Sequence, residues 1–158
     1  IAIQIIYNLL EQEPSKFLFQ KSEKTSTGLI ARVPHASGIM DGTFTKERTF
    51  QKSDHRSHRK QKWMEAGLQA KKDLDFLYKE NDRTIGQAAI LFSLAVNNIC
   101  TVLPNFTNHE EIDEFTEASD MPPLSDSDLT KIEDLWNNSH SDILSQPFSD
   151  STTKPTPT

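Results

Sequence analysis

The sequence predicts an α/β fold in which parallel strands are joined by helical crossovers. Three observations predict it. Short apolar runs rich in β-branched residues stand at 2–7, 29–33 and 99–103. Helix-patterned stretches separate them, and strands that alternate with helices pair in parallel through right-handed crossovers. Three such strands leave two sheet edges open, and an exposed edge is a pairing hazard, so the sheet reads as part of a larger one.

Each element has its own signal. In the first run Ala2, Ile3, Ile5, Ile6 and Tyr7 surround the polar Gln4, which reads as a buried strand. Residues 9–14 turn the chain. Residues 15–24 read as a short helix with Phe17 and Leu18 facing inward, stopped by the Thr25, Ser26, Thr27 and Gly28 cluster. Leu29 opens the second strand. A polar stretch at 36–60 follows, with Gly38 and Gly42. Loops longer than about 12–15 residues are usually functional or disordered.

Helical signals dominate the second half. Trp63, Gly67, Ala70, Leu74 and Leu77 alternate four and three apart, which makes one apolar stripe on a helix at 63–79. Thr84 and Gln87 have capping-box spacing and open a helix to 96 that is apolar nearly all round, hence buried. Pro104 closes the third strand. Asn108 caps a helix to 118, with Glu110 and Glu111 at its positive end. Met121, Pro122 and Pro123 break the chain, and Ser125 caps a last helix through Leu129, Ile132, Leu135 and Trp136. Residues 137–158 are rich in Ser, Thr, Asp, Asn and Pro and read as a disordered tail, which sets the organisation at 1–136 and 137–158.

Composition narrows the function classes. The 158 residues carry 17 basic and 23 acidic side chains, a formal charge of −6. That balance argues against a nucleic-acid partner, whose phosphates call for clustered Lys and Arg. The apolar run at 88–96 is too short to span a membrane. The 35% hydrophobic fraction is low for a globular domain. One cysteine, Cys100, excludes an internal disulfide and reads as a buried small hydrophobe. His55 and His58 flank a metal-like cluster with Asp54, but no further ligand set follows, so no metal is expected. The chain opens inside a strand-like run without Met, and the expectation is that a beginning is missing.

Four segments then carry a resemblance: QIIYNLL at 4–10, IARVPHASG at 30–38, FQKSDHRS at 50–57 and TVLPN at 101–105. In series, at this spacing, residues 1–136 resemble the last three βα units of the aldo-keto reductases, in their microbial branch. The resemblance implies part of a (β/α)₈ TIM barrel. It further implies an oxidoreductase that reduces small carbonyl substrates, aldehydes or ketones, by hydride transfer from NADPH. The family's catalytic Tyr, Lys, Asp and His come from the first half of the barrel, so no catalytic residue is expected here. Neither Tyr7 nor Tyr78 holds the place of the catalytic Tyr. This portion would grip the cofactor, NADP or NAD.

The carry-over is by position. Gln4 matches the Gln that faces the nicotinamide carboxamide, a role for a side chain that both donates and accepts; on the strand alone it reads as pairing with neighbouring backbone. Arg32 matches the position that covers the nicotinamide ring, which a planar guanidinium can do; it also reads as a strand-end Arg paired with an acid. Val33, His35 and Ser37 match positions along the pyrophosphate, and Pro34 and Gly38 shape the turn. The third segment departs from the pattern, with Asn105 and Thr107 where small or basic residues are usual. Glu111 stands at the place of the Arg or Gln that meets the 2′-phosphate, and Phe115 at that of an adenine-binding Asn. A carboxylate there repels a phosphate dianion and suits a free ribose hydroxyl, which points to NAD; it also simply favours a helix N-terminus. Asp54 and Arg56 are expected to pair and order the long loop. One cysteine and a reductase resemblance make the cytoplasm the expected compartment. The alternative is a non-enzymatic truncated barrel that acts through oligomerisation or a partner.

Overall fold

The computed structural model describes residues 1–13, 15–79 and 81–146. Pro14 of the predicted turn and residues 147–158 of the predicted tail lie outside them. Three parallel strands, β1 (Ala2–Ile6), β2 (Gly28–Arg32) and β3 (Ile99–Leu103), form one sheet in that order. Six helices accompany them among the described residues: α1 (Lys16–Thr25), α2 (Gln61–Asp73), α3 (Ile85–Leu94), α4 (His109–Glu117), α5 (Asp126–Leu135) and the short α6 (Ser141–Leu144).

Local chemistry explains the boundaries. Thr84 accepts a hydrogen bond from the Gln87 amide while the Gln87 side chain accepts from the Thr84 amide, so both arms of the capping box are made. Ser125 and Asp128 make the same box at α5. Asn108 caps α4 through the Glu111 amide. α1 stops where Ser26 turns left-handed at φ 51°. The expected stripe on α2 is buried throughout, although the helix yields at Leu74 to a 3-10 turn over Asp75–Leu77.

The sheet is covered on one face. Ile5, Leu29 and Ala31 are buried there with Leu9, Leu10, Ile39, Met40, Leu74, Leu77 and the small residues of α3. α3 is buried on every side from Ile85 to Ser93. Tyr7 closes the core at the end of β1, edge-on to Phe19 at 5.0 Å and stacked on Phe92 at 5.2 Å. Burial raises its phenol pKa far above the usual value. The opposite face is bare. Gln4 faces Ile30, which faces Thr101, and Ile6 faces Arg32, which faces Leu103, in one register. Of these, Gln4, Arg32, Thr101 and Leu103 are exposed.

Four expectations need correction. β1 is not a buried strand, because Ile3 is 44% exposed at an edge that no strand covers among the described residues. Phe17 points to solvent at 57% exposure, and Phe19 takes the inward place instead. Cys100 is exposed. The register slips between Leu29 and Ile30, so Cys100 has no partner on β2 and sits at a bulge. Finally, residues 137–146 are not an unpacked tail. A π turn over Trp136–His140 leads into α6, and Trp136, His140 and Leu144, each four apart, are all buried. The Trp63 indole N–H donates to the Leu144 carbonyl at 3.3 Å, and His140 Nε2 meets Asp73 Oδ2 at 3.0 Å. Three residues at helical spacing override a polar composition.

Candidate functional site

β1 and β2 end side by side, with Ile6 opposite Arg32. The chain then turns sharply. Val33, Ala36, Ser37 and Gly38 have φ of 59°, 47°, 64° and 95°. A β-branched residue in that region is an outlier, and such strain persists where the surroundings over-determine it, commonly beside a ligand. Here the Val33 carbonyl accepts the Asn8 side-chain amide at 2.9 Å and the Ala36 amide at 3.1 Å. The Gly38 carbonyl accepts the Phe44 amide at 2.8 Å. A Cβ on Gly38 would stand 2.6 Å from Thr43 Oγ1, so both its conformation and its packing require glycine.

A buried polar network holds this turn. Asn8 Oδ1 accepts the amides of Leu10 and Glu11, both at 2.9 Å, and its Nδ2 donates to Glu11 Oε2 at 3.0 Å. Glu11 Oε1 accepts Arg59 Nη1 at 2.8 Å. Arg59 Nε donates to Ser37 Oγ at 2.9 Å, and the guanidinium lies 4.3 Å over the Trp63 ring. The two charged side chains are only 8% and 7% exposed. Such a pair persists when its polar atoms are well bonded; here all three guanidinium nitrogens donate, to Ser37 and to both Glu11 oxygens. Sequence reasoning missed Glu11 and Arg59. They stand 48 residues apart, and no spacing rule joins them. Asn8 lay inside a quoted motif, but its contacts are tertiary.

The residues singled out from sequence divide into three groups. Gln4 and Arg32 lie on the bare face, exposed, near the turn. Pro34 and His35 are buried beneath it. His35 Nε2 lies 3.3 Å from the Gly86 carbonyl, its Nδ1 3.8 Å from Asp41, and its ring 4.2 Å from Phe115. Phe115 is buried and fills the contact between α3 and α4, where a Cβ on Gly86 would meet its ring at 2.7 Å. Asn105 and Thr107 are exposed beyond β3. Both Glu111 carboxylate oxygens accept from Thr107, one from its amide at 2.5 Å and both from its hydroxyl at 2.9 and 3.0 Å. The Glu111 carboxylate thus closes the start of α4, the role its helix position predicts.

Burial lowers the His35 pKa from its ordinary 6.5, while Asp41 and the Gly86 carbonyl oppose the shift. The folded chain therefore holds His35 neutral, and the unfolded chain takes up the proton first. This contribution to stability is complete above pH 6.5 and erodes as the pH falls through it. His35→Gln is expected to flatten the fall in urea midpoint between about pH 7 and about pH 5. An unchanged slope in that variant would assign the fall to other groups.

The long loop is ordered from within. Arg56 binds Asp54 through its backbone amide and its guanidinium, with Nη2 to Oδ2 at 2.6 Å, which holds the Asp54 carboxyl well below the usual range. The expected pairing of these residues is present. Arg56 lies 4.5 Å over Phe50, itself stacked on Phe44 at 5.6 Å. Among the described residues no three His, Cys, Asp or Glu side chains come together to hold a metal. No helix there is long and apolar enough to cross a membrane.

The site is thus a strained turn after the second of three parallel strands, beside the strand that carries Gln4. The sequence model described as the aldo/keto reductase family matches residues 1–137. The chain belongs to that family. No curated sequence matches it. Among solved structures, the glycerol dehydrogenase AKR11B4 from Gluconobacter oxydans superposes with a TM-score of 0.76 at 17% identity, covering 97% of this chain and 46% of that one. The holo form of the aldo-keto reductase AKR11C1 from Bacillus halodurans gives 0.61 at 17% identity, covering 85% and 42%. The thermostable aldo-keto reductase Tm1743, solved with the inhibitor epalrestat, gives 0.59 at 18% identity, covering 85% and 39%. At these identities the likeness is one of fold. This aldo/keto reductase chain spans less than half the length of each of these structures.

Proposed function

We propose that the chain is the cofactor-binding portion, the last three βα units, of an NAD(P)H-dependent oxidoreductase that reduces aldehydes or ketones. The observation that carries this reading is the left-handed turn at 33–38, braced by Asn8 and Arg59 and flanked by exposed Gln4 and Arg32. Its backbone is pre-set, with half-buried Val33 and Ser37 at its surface, which suits a pyrophosphate. The exposed Gln4 amide can donate and accept toward a carboxamide, and the Arg32 guanidinium can lie on a flat ring. When bound, the dinucleotide supplies the hydride. His35, Pro34 and Phe115 act from below, as packing that holds the turn in place. The chain contributes no catalytic acid in this reading, so turnover needs residues outside it. The cytoplasm is the proposed compartment, in keeping with a lone free cysteine.

Glu111 deepens the cofactor side of the reading. Its carboxylate caps α4 and at the same time places negative charge where a 2′-phosphate would lie, so NADH is the proposed preference. Titration of the complete protein is expected to give NADH an advantage of about tenfold over NADPH. Glu111→Arg should reverse it, while Glu111→Gln, which retains an acceptor for Thr107, should only level it. Equal affinities unmoved by either substitution would remove Glu111 from the site, and binding of neither cofactor would remove the reading itself.

A further inference from the structure

A concavity lies beside the turn, on the side of the long loop. The long loop and α2 enclose an open cleft of about 400 Å³. Lys46, Arg48, Arg56 and Arg59 line it with a single carboxylate, Glu65, and Phe44, Met64 and Leu68 supply an apolar wall. Of these residues only Arg59 also serves the proposed dinucleotide site, as the brace on Ser37. Two of the cations have counter-ions, since Arg56 is bound by Asp54 and Arg59 by Glu11. Glu65 accepts the Gln61 side-chain amide at 2.8 Å and keeps its negative charge, so the lining is net positive by one. Lys46 and Arg48 are exposed and form no ion pair among the described residues. Arg48 is nevertheless aimed: its Nη1 donates to the Thr43 carbonyl at 2.5 Å, and its guanidinium lies 5.8 Å from the Phe50 ring. A chain of charge −6 thus concentrates uncompensated positive charge on one apolar-walled cleft.

We propose that this cleft binds a small organic phosphomonoester. The phosphate lies between Lys46 and Arg48, and the organic body rests on Phe44, Met64 and Leu68. Lys46 and Arg48 can both donate to a group that carries close to two negative charges on three acceptor oxygens at neutral pH, and a guanidinium meets phosphate oxygens bidentately. A monocarboxylate supplies half that charge, and inorganic phosphate leaves the apolar wall unused. The site is independent of the dinucleotide reading and stands or falls without it.

The test is a titration of the whole chain with phenyl phosphate, benzoate and inorganic phosphate, followed by Trp63 fluorescence, because Trp63 stacks on Arg59 at the cleft. Phenyl phosphate is expected to saturate, at least about tenfold tighter than the other two and more weakly as salt is raised. Lys46→Glu with Arg48→Glu should abolish this, whereas Lys46→Arg with Arg48→Lys should retain it. Both positions are exposed, and unchanged circular dichroism would show that the fold survives. Equal affinity for all three anions overturns the proposal, as does saturable binding that persists in the charge-reversed variant or no binding of phenyl phosphate by the native chain.

Discussion

Removing either half of the Glu11–Arg59 pair is expected to lower folding stability by about 3–5 kcal/mol. The two side chains are 7% and 8% exposed, so the survivor would be a largely buried charge that has lost its partner across the pair. Arg59→Met strips Ser37 Oγ and Glu11 Oε1 of their donor at once. Glu11→Gln keeps an acceptor for Arg59 but no charge, and should fall at the lower end. Urea unfolding would show the loss as a midpoint shift on the order of 1 M or more. The combined variant Glu11→Leu with Arg59→Met is expected to recover most of it, because an apolar pair carries no desolvation cost. Single variants that unfold at the native midpoint would mean that water reaches the pair.

Trp63→Ala is expected to cost a further large amount, about 3–5 kcal/mol. Trp63 is 2% exposed and stands where three elements meet: α2, the end of the long loop through Arg59, and α6 through the Leu144 carbonyl. Truncation opens a cavity and frees α6 from its anchor. Trp63→Phe retains the ring but not the donor, and its cost should be near that of one buried hydrogen bond, about 1–3 kcal/mol. Because Trp63 and Arg59 touch, their losses should not add. A double variant whose loss equals the sum of the two, in the same urea measurement, would show that the contact at 4.3 Å carries no energy.

These two sites also show what local reading reaches. The boxes at Thr84 and Ser125 were legible because each is closed within four residues, and the sheet because β-branched runs mark strands. Ile3, Phe17 and Cys100 depart from the burial that their local sequence predicts for a common reason. Their exposure depends on which sheet face and edge are covered, and that is settled by elements far along the chain. The helical end at 136–144 was hidden by serines and asparagines, whose composition outweighed three spaced apolar or aromatic anchors. At the candidate site the turn at 33–38 was visible as a motif. The brace beneath it was not, since Glu11 and Arg59 are ordinary charged residues until the fold brings them together.

The order of the strands bears on how the molecule assembles. β1 and β2 are joined by one helix, whereas residues 33–98 intervene between β2 and β3. Closing the longer segment costs more chain entropy, and distant pairings form late. Folding should therefore nucleate on the β1–α1–β2 crossover unit and finish when β3 docks with α3 and α4. In stopped-flow chevrons, Leu29→Ala is expected to slow refolding, while Val102→Ala should mainly hasten unfolding. The opposite assignment would place the nucleus on β3. On this account β3 arrives last and leads into α4, whose Phe115 packs on His35, so the candidate site matures only in the final step of folding.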